Sequence, residues 1–301
     1  MRKVIRKLLR TVVNYDPSYY DMYADVNEQW YARLYLEWIT RHARAVGIIP
    51  PATEPGALRS ARGGDGSAGA GGRPRPRLLE AGCQTGRLAI SFARQGFEVT
   101  GIDTSGFALR RARVHARQAG VQASFRQGDV LNVLQEKPRR QYDVIVCAEV
   151  TYLSPKYREM LQVLAMAVRP GGLLCVSHRP STYYLLEALK AGDFDMAGSV
   201  LSRREGPFRG STYYNWQTRE ELEALYASLG LEWIALHPID RLAWLSGLNL
   251  SKLPVEQRER WLQAELSLDG AGEVCARYAL VIARKPLHVA ASVCYDTGSS
   301  R

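Results

Sequence analysis

Residues 78–87 read Leu-Leu-Glu-Ala-Gly-Cys-Gln-Thr-Gly-Arg. An apolar strand ends in an acidic residue, a turn carries Gly82 and Gly86, and a helix opens near Thr85. Such a unit points backbone N–H groups and a helix N-terminus at whatever lies above the turn, and the glycines let a ligand approach the backbone closely. About twenty positions later, Val99-Thr100-Gly101-Ile102-Asp103 closes a second apolar strand on a carboxylate. A carboxylate at that place can accept two hydrogen bonds from ribose hydroxyls.

The alternation continues. The spacing predicts strands near 77–82, 97–102, 122–127, 142–148 and 172–178, with helices near 85–95, 105–119 and 155–168. A capping box, Thr218-Arg219-Glu220-Glu221, opens a helix to about residue 229,. Strands over 231–238 and 273–284 follow. This is the pattern of a doubly wound α/β fold with a mostly parallel sheet. Ligands bind such sheets outside the carboxyl ends of the strands. Glu80, Asp103, Asp129, Glu149 and His178 all fall there.

Two nucleotide-type cofactors suit this geometry. The dinucleotide fingerprint requires glycine at its first, third and sixth positions. Here those positions hold Gly82, Gln84 and Arg87, so two of three fail. The pattern acidic-x-Gly-x-Gly-x-Gly is met at Glu80, Gly82 and Gly86, with Gln84 in place of the middle glycine.

On these residues the chain resembles the class I S-adenosylmethionine-dependent methyltransferases from about residue 77 to 181. Gly101-Ile102-Asp103-Thr104-Ser105 is similar to the family's ribose-binding motif, and Gln127-Gly128-Asp129-Val130 to the motif that contacts adenine. Tyr142 through Val150 resembles the fourth strand, and Arg169-Pro170-Gly171-Gly172 the turn into the fifth. The resemblance implies S-adenosyl-L-methionine as cofactor, held by Glu80, Gly82, Cys83, Gln84, Gly86 and Asp103. Thr104, Asp129, Val130, Ala148 and Tyr23 complete that expected set. It implies a seven-stranded, mostly parallel sheet with the last strand antiparallel; to this the sequence adds N-terminal helices and, where the family's connection is short, a helical insertion before that strand. Each residue also has a plainer use. Gly82 and Gly86 suit turns at positive φ, Asp103 suits an N-cap, and Asp129 suits a Gly-Asp turn,. Those uses do not account for the order and spacing of the motifs.

Methyl transfer is an in-line displacement with an activated leaving group, so positioning and a dry site matter most. Where an acceptor proton must be removed, Glu149 and His178 are the candidate bases, His178 for its titration near neutral pH,. Glu149 could instead orient the cofactor or acceptor, and His178 could be a hydrogen-bonded strand end. Tyr152, Arg179, Tyr183, Tyr184, Tyr213, Tyr214 and Trp216 could line an aromatic acceptor pocket. Tyr19, Tyr23 and Trp30, from the aromatic stretch 15–46, could reach the same pocket. Tyr31, Tyr35 and Trp38 share a helix face and also suit core packing,.

Negative evidence narrows the acceptor. The fourth motif reads Ala-Glu-Val-Thr rather than Asn/Asp-Pro-Pro-Tyr/Phe, no Pro-Cys pair is present, and no metal-ligand spacing occurs,. A small molecule, including a lipid- or quinone-like one, leads. The alternatives are an RNA methyltransferase, a cofactor-binding scaffold without turnover (suggested by Gln84) and, more distantly, a dehydrogenase. The net charge of +10, with 33 Arg among 40 basic residues, keeps nucleic acid open as a partner,.

The 301 residues divide into four expected parts. They are a helical cap over 1–49, a Gly/Pro/Arg-rich linker over 50–76, the methyltransferase domain over 77–285 and a tail over 286–301. Within the domain, 183–215 and 240–272 are expected to cover the acceptor side. Residues 2–13 form a basic amphipathic segment, suited either to an anionic membrane surface or to packing on the domain,. The expected location is the cytoplasm, or the inner surface of the membrane, with five reduced cysteines,. The oligomeric state stays open.

Overall fold

The computed structural model describes residues 20–51, 74–135, 141–268 and 275–287. Tyr19, the segment 2–13, most of the 50–76 linker and the tail beyond 287 lie outside the described residues.

The first element among the described residues is helix α1, Val26–Ala45, whose first turn is capped by the Asp25 side chain. Then come β1 (Arg77–Ala81), α2 (Arg87–Arg94), β2 (Glu98–Asp103), α3 (Gly106–Gln118), β3 (Ala123–Gln127), α4 (Val130–Gln135) and β4 (Tyr142–Cys147). They are followed by α5 (Tyr157–Ala167), β5 (Val168–His178), α6 (Ser181–Lys190), α7 (Phe194–Ser202) and a hairpin of β6 (Glu205–Phe208) with β7 (Ser211–Asn215). The chain closes through α8 (Arg219–Ser228), β8 (Glu232–Ile239), α9 (Leu242–Ser246), α10 (Val255–Ser267) and β9 (Tyr278–Arg284).

The main sheet has seven strands in the order β3-β2-β1-β4-β5-β9-β8. β1 through β5 are parallel; β9 runs antiparallel to both of its neighbours, β5 and β8. The expected seven-stranded sheet with an antiparallel last strand is therefore present, that strand lying inside the sheet rather than at its edge. Strand order reverses between β1 and β4, which opens the crevice at the carboxyl ends,.

Helices cover both faces, so the central strands are apolar throughout rather than alternating with polar residues. Successive residues feed opposite cores. Leu78, Val144, Val146, Leu280 and Ile282 enter the core with α1, α2 and α10. Leu79, Ile145, Val176 and Val281 enter the core with α5 and α8. A third, smaller core of Tyr184, Val200, Phe208 and Trp216 holds α6, α7 and the hairpin together.

Two expectations of position need correction. β5 starts at Val168, ahead of the predicted 172. β9 starts at Tyr278, well after the predicted 273. The capping box at Thr218 forms as read, with both reciprocal bonds, and α8 runs to Ser228, as expected.

Candidate functional site

The β1–α2 turn is built as its glycines require. Gly82 and Gly86 have φ of +81° and +86°. A Cβ added at Gly82 would meet Val150 Cγ2 at 2.3 Å, so only glycine fits beside the turn after β4. Gly101 lets the Cys83 side chain lie against β2, since an added Cβ there would meet Sγ at 2.7 Å. Gln84, where the expected pattern has glycine, takes φ of +44°. Its Nε2 donates to the Tyr20 carbonyl at 3.0 Å, while its Oε1 is buried and bonded to nothing among the described residues.

Asp103 ends β2 and faces this turn. One carboxylate oxygen accepts from the Gln84 N–H and the other from the Ser105 N–H, each at 2.8 Å. Those bonds fix the carboxylate plane and leave lone pairs free for a ligand. Asp129 Oδ1 accepts from the Leu131 N–H at 2.9 Å at the start of α4. Glu80 is buried, and its Oε2 accepts from the Ala89 N–H at 2.6 Å. Burial pushes its pKa up to about 8, although the Arg87 charge and the Ala89 N–H act in the other direction.

These groups line one cleft of about 510 Å³ at the carboxyl edge of the sheet. Its wall includes Glu80, Gly82, Cys83, Gln84, Asp103, Thr104, Asp129, Val130, Ala148, Glu149 and Tyr152. Met22, Gly128, Leu153 and Met160 complete a partly apolar surround, as ligand clefts usually have.

Comparison with known proteins agrees with this layout. A family model described as "Methyltransferase domain" matches residues 78–172, which run from β1 to the middle of β5. A ubiquinone biosynthesis O-methyltransferase of Alkalilimnicola ehrlichii is 35% identical over 136 residues, 42% of this chain and 55% of the relative. One from Aeromonas salmonicida is 36% identical over 113 residues, 36% of this chain and 47% of the relative. The chain thus spans about half the length of the curated relatives it matches. The crystal structure of the magnesium protoporphyrin IX methyltransferase from Synechocystis with bound SAH superposes with a TM-score of 0.53 at 14% identity. It covers 95% of this chain and all of that one, which shows a common fold.

Over residues 78–172 the chain is similar to a methyltransferase domain, and it shares the fold of a known methyltransferase.

A charge cluster missed in the sequence sits against the cleft. Arg87, the first residue of α2, is buried. Its Nη1 donates to Glu28 Oε2 at 2.5 Å and its Nη2 to Glu149 Oε1 at 2.8 Å. Glu28 comes from the first turn of α1, so the N-terminal helix is tied to the cofactor-type turn by an ion pair. Tyr35 also donates to Glu149 Oε1, at 3.3 Å. Glu149 itself has φ of +63°, and its N–H donates to Ser177 Oγ at 2.7 Å. Burial works against its ionised form, but the Arg87 charge and hydrogen bond, with Arg277 and Tyr278, hold its pKa below the usual range. The one signal in the sequence was Arg87 itself, a basic residue in the first turn of a helix, where the helix dipole favours acids.

Several expected site residues lie elsewhere. His178 does not reach the cleft. It is buried on the α8 side of the sheet, with Nε2 2.9 Å from the Tyr226 hydroxyl. A separate cavity of about 30 Å³ touches it, lined by Pro180, Gln217, Leu222 and Leu236 among others. Burial lowers its pKa to about 3, which contradicts the expectation of a base titrating near neutrality. The reason is strand parity: Ser177 points toward Glu149, so its neighbour points through the sheet,.

Trp216 is buried in the hairpin core, and its Nε1 donates to the Val200 and Arg203 carbonyls. It packs within that hairpin core rather than lining the cleft. Trp30 packs in the main core with Arg33 over its ring. Tyr23 stacks on His115 at 4.4 Å, and its N–H donates to Thr85 Oγ1. Tyr183 and Tyr214 join Tyr152 and Tyr184 in an aromatic wall behind the cleft. Among the described residues no group of three or more potential metal ligands occurs, and no helix is long and apolar enough to cross a membrane.

Proposed function

We propose that this chain transfers a methyl group from S-adenosylmethionine to an oxygen, nitrogen or carbon atom of a small, quinone- or lipid-like acceptor. The observation that carries the reading is the Asp103 carboxylate. Two backbone bonds pin it at the end of β2, facing a glycine turn that no other residue type fits.

The residues present fit an S-adenosyl group. Asp103 would hold the ribose hydroxyls, and Asp129 would accept from the adenine amine. The turn at Gly82 would let the methionine part lie against backbone, where the buried and unsatisfied Gln84 Oε1 lacks a donor. Glu149, held ionised beside the cleft, and Glu80, whose buried carboxyl can ionise as a cation approaches, suit a positively charged sulfur,. When bound, the cofactor supplies a methyl carbon on a positively charged sulfur whose departure leaves a neutral thioether. The chain then needs to orient the acceptor and exclude water. Glu149, held by Arg87 and Tyr35, is placed to orient the acceptor rather than to take its proton.

The similarity to ubiquinone biosynthesis O-methyltransferases supports oxygen as the methylated atom and a quinone-like acceptor. The basic amphipathic segment 2–13 has the composition to meet an anionic membrane surface, where such acceptors reside,.

The test is calorimetric titration of the chain with S-adenosylmethionine and S-adenosylhomocysteine, with Asp103→Ala as control. Micromolar binding that Asp103→Ala abolishes is expected. A folded wild-type chain that binds neither compound overturns the reading.

A second reading, binding without turnover, draws on Gln84, whose side chain is tied to Tyr20 across the turn. It predicts normal S-adenosylhomocysteine affinity with no methyl transfer to any phenolic or quinol acceptor. Transfer of labelled methyl to one such acceptor would eliminate it.

A further inference from the structure

Arg179 follows β5 at the carboxyl edge of the sheet. Its guanidinium lies against three tyrosine rings: 4.3 Å from the centroid of Tyr183, 4.4 Å from Tyr152 and 4.6 Å from Tyr278. The Nε is buried and has no hydrogen-bond partner among the described residues. Among the described residues no carboxylate pairs with this cation. Arg87 is matched by Glu28 and Glu149, Arg277 by Asp240 and Arg169 by Asp143, whereas buried Arg241 bonds the Leu268 carbonyl and lies away from the cleft lining.

An arginine stays charged in any protein environment. Ring faces offset part of the cost of removing that charge from water, and a carboxylate with fork geometry offsets much more. Arg179 has the first and lacks the second.

Its position selects the ligand. Tyr152 lines the cleft and also stacks on Arg179, so the cation and the cleft share one wall. The reversal of strand order between β1 and β4 places the ribose-type carboxylate on the β2 side. Arg179 is on the other side, beyond β4 at the end of β5. Tyr183, from α6, meets Trp244, from α9, at 5.2 Å. The two segments that cover the acceptor side therefore converge at this arginine.

We propose that Arg179 is the anchor for an anionic group on the acceptor, and that the substrate class is a small organic acid bearing a carboxylate. This rests on the proposed methyl transfer. The carboxylate would form paired hydrogen bonds with the guanidinium, and the atom to be methylated would project past Tyr152 toward Glu149. The cofactor's own carboxylate is the competing occupant, and the test separates the two.

The probe is benzoate, with benzamide as its neutral counterpart, titrated into the full chain saturated with S-adenosylhomocysteine and followed by ligand-observed NMR. Saturable benzoate binding at least about tenfold tighter than benzamide is expected in the wild type, a comparison that needs no variant. Arg179→Met should erase that preference, and Arg179→Lys should restore part of it. S-adenosylhomocysteine affinity and the thermal midpoint of Arg179→Met are controls expected to hold. Equal binding of benzoate and benzamide overturns the proposal, as does a benzoate preference that survives in Arg179→Met. Loss of S-adenosylhomocysteine binding in a folded Arg179→Met chain also overturns it, by assigning the arginine to the cofactor's carboxylate. Absence of S-adenosylhomocysteine binding in the wild type would defeat the methyl-transfer reading instead, and is seen in a separate titration.

Discussion

Arg87 and Glu149 form a buried ion pair at 2.8 Å against the wall of the cleft, and the guanidinium is shared with Glu28 on the N-terminal helix. Two carboxylates on one guanidinium leave a net negative cluster in a low-dielectric place. Burial pushes Glu28 up to about 7, while Arg87 and its hydrogen bond keep Glu149 in the ionised range despite its own burial.

Removing the shared cation should therefore cost more than either ion pair contributes. Arg87→Leu is expected to lose about 3–5 kcal/mol, the usual cost of stranding a buried charge. In that variant both acids are pushed further up, so they ionise only at a penalty. The loss should be larger at pH 8 than at pH 5.5, read by urea denaturation at both. Equal losses at the two values would mean that the penalty is packing and not charge.

Gly82 and Val150 test the turn in the same way. Gly82→Ala brings a Cβ to within 2.3 Å of Val150 Cγ2 and also forces alanine to φ of +81°. Val150→Ala removes the clash but not the backbone cost, about 1–2 kcal/mol for a non-glycine residue in that region. The double variant should recover part of the stability and S-adenosylhomocysteine affinity lost in Gly82→Ala. Complete recovery would show that sterics alone select the glycine; no recovery would show that backbone conformation alone does.

The sheet and the turn were legible in the sequence because their signals are local. Apolar strands, the glycines of 82 and 86, Asp103 one strand later and the Thr218 box each report on their own neighbourhood. What was not legible depends on partners far along the chain. Arg87 finds Glu28 and Glu149 some sixty positions away in either direction. Trp216 looked like a pocket aromatic because composition does not say which way a ring faces; the hairpin core takes it. His178 was one residue out of phase, since Ser177 took the cleft-facing place in β5.

His178 should accordingly behave as a structural residue. Its Nε2 meets the Tyr226 hydroxyl, and its Nδ1 is buried with no partner. His178→Gln should leave the pH profile of methyl transfer unmoved while lowering stability by about 1–2 kcal/mol, the scale of a lost buried hydrogen bond. A profile that loses a limb near neutrality in this variant would restore the histidine to the reaction.

Glu80 carries the clearest proton linkage. Its folded-state pKa lies at about 8, against an unperturbed value of 4.5, chiefly because it is buried. The folded chain therefore binds more protons than the unfolded chain between those values, and stability falls as pH rises through the window. At about 1.36 kcal/mol per unit, the whole effect is on the order of 5 kcal/mol. His178 acts with the opposite sign at lower pH: its pKa is lowered from 6.5 to about 3, so its contribution is lost as pH falls below 6.5. The two separate between pH 6.5 and 8, where the carboxyl linkages of Glu80, Glu28 and Glu265 fall within range. Glu80→Gln keeps an acceptor for the Ala89 N–H and removes the titration, so the decline of stability over that interval should flatten. The same proton reads out cofactor charge. A sulfonium near Glu80 favours its ionised form, and the neutral thioether does not. At pH 7, S-adenosylmethionine should release more protons on binding than S-adenosylhomocysteine, measured by calorimetry in buffers of different ionisation enthalpy. Glu80→Gln should narrow the difference; equal release by both ligands in the wild type would place the sulfonium away from this carboxyl.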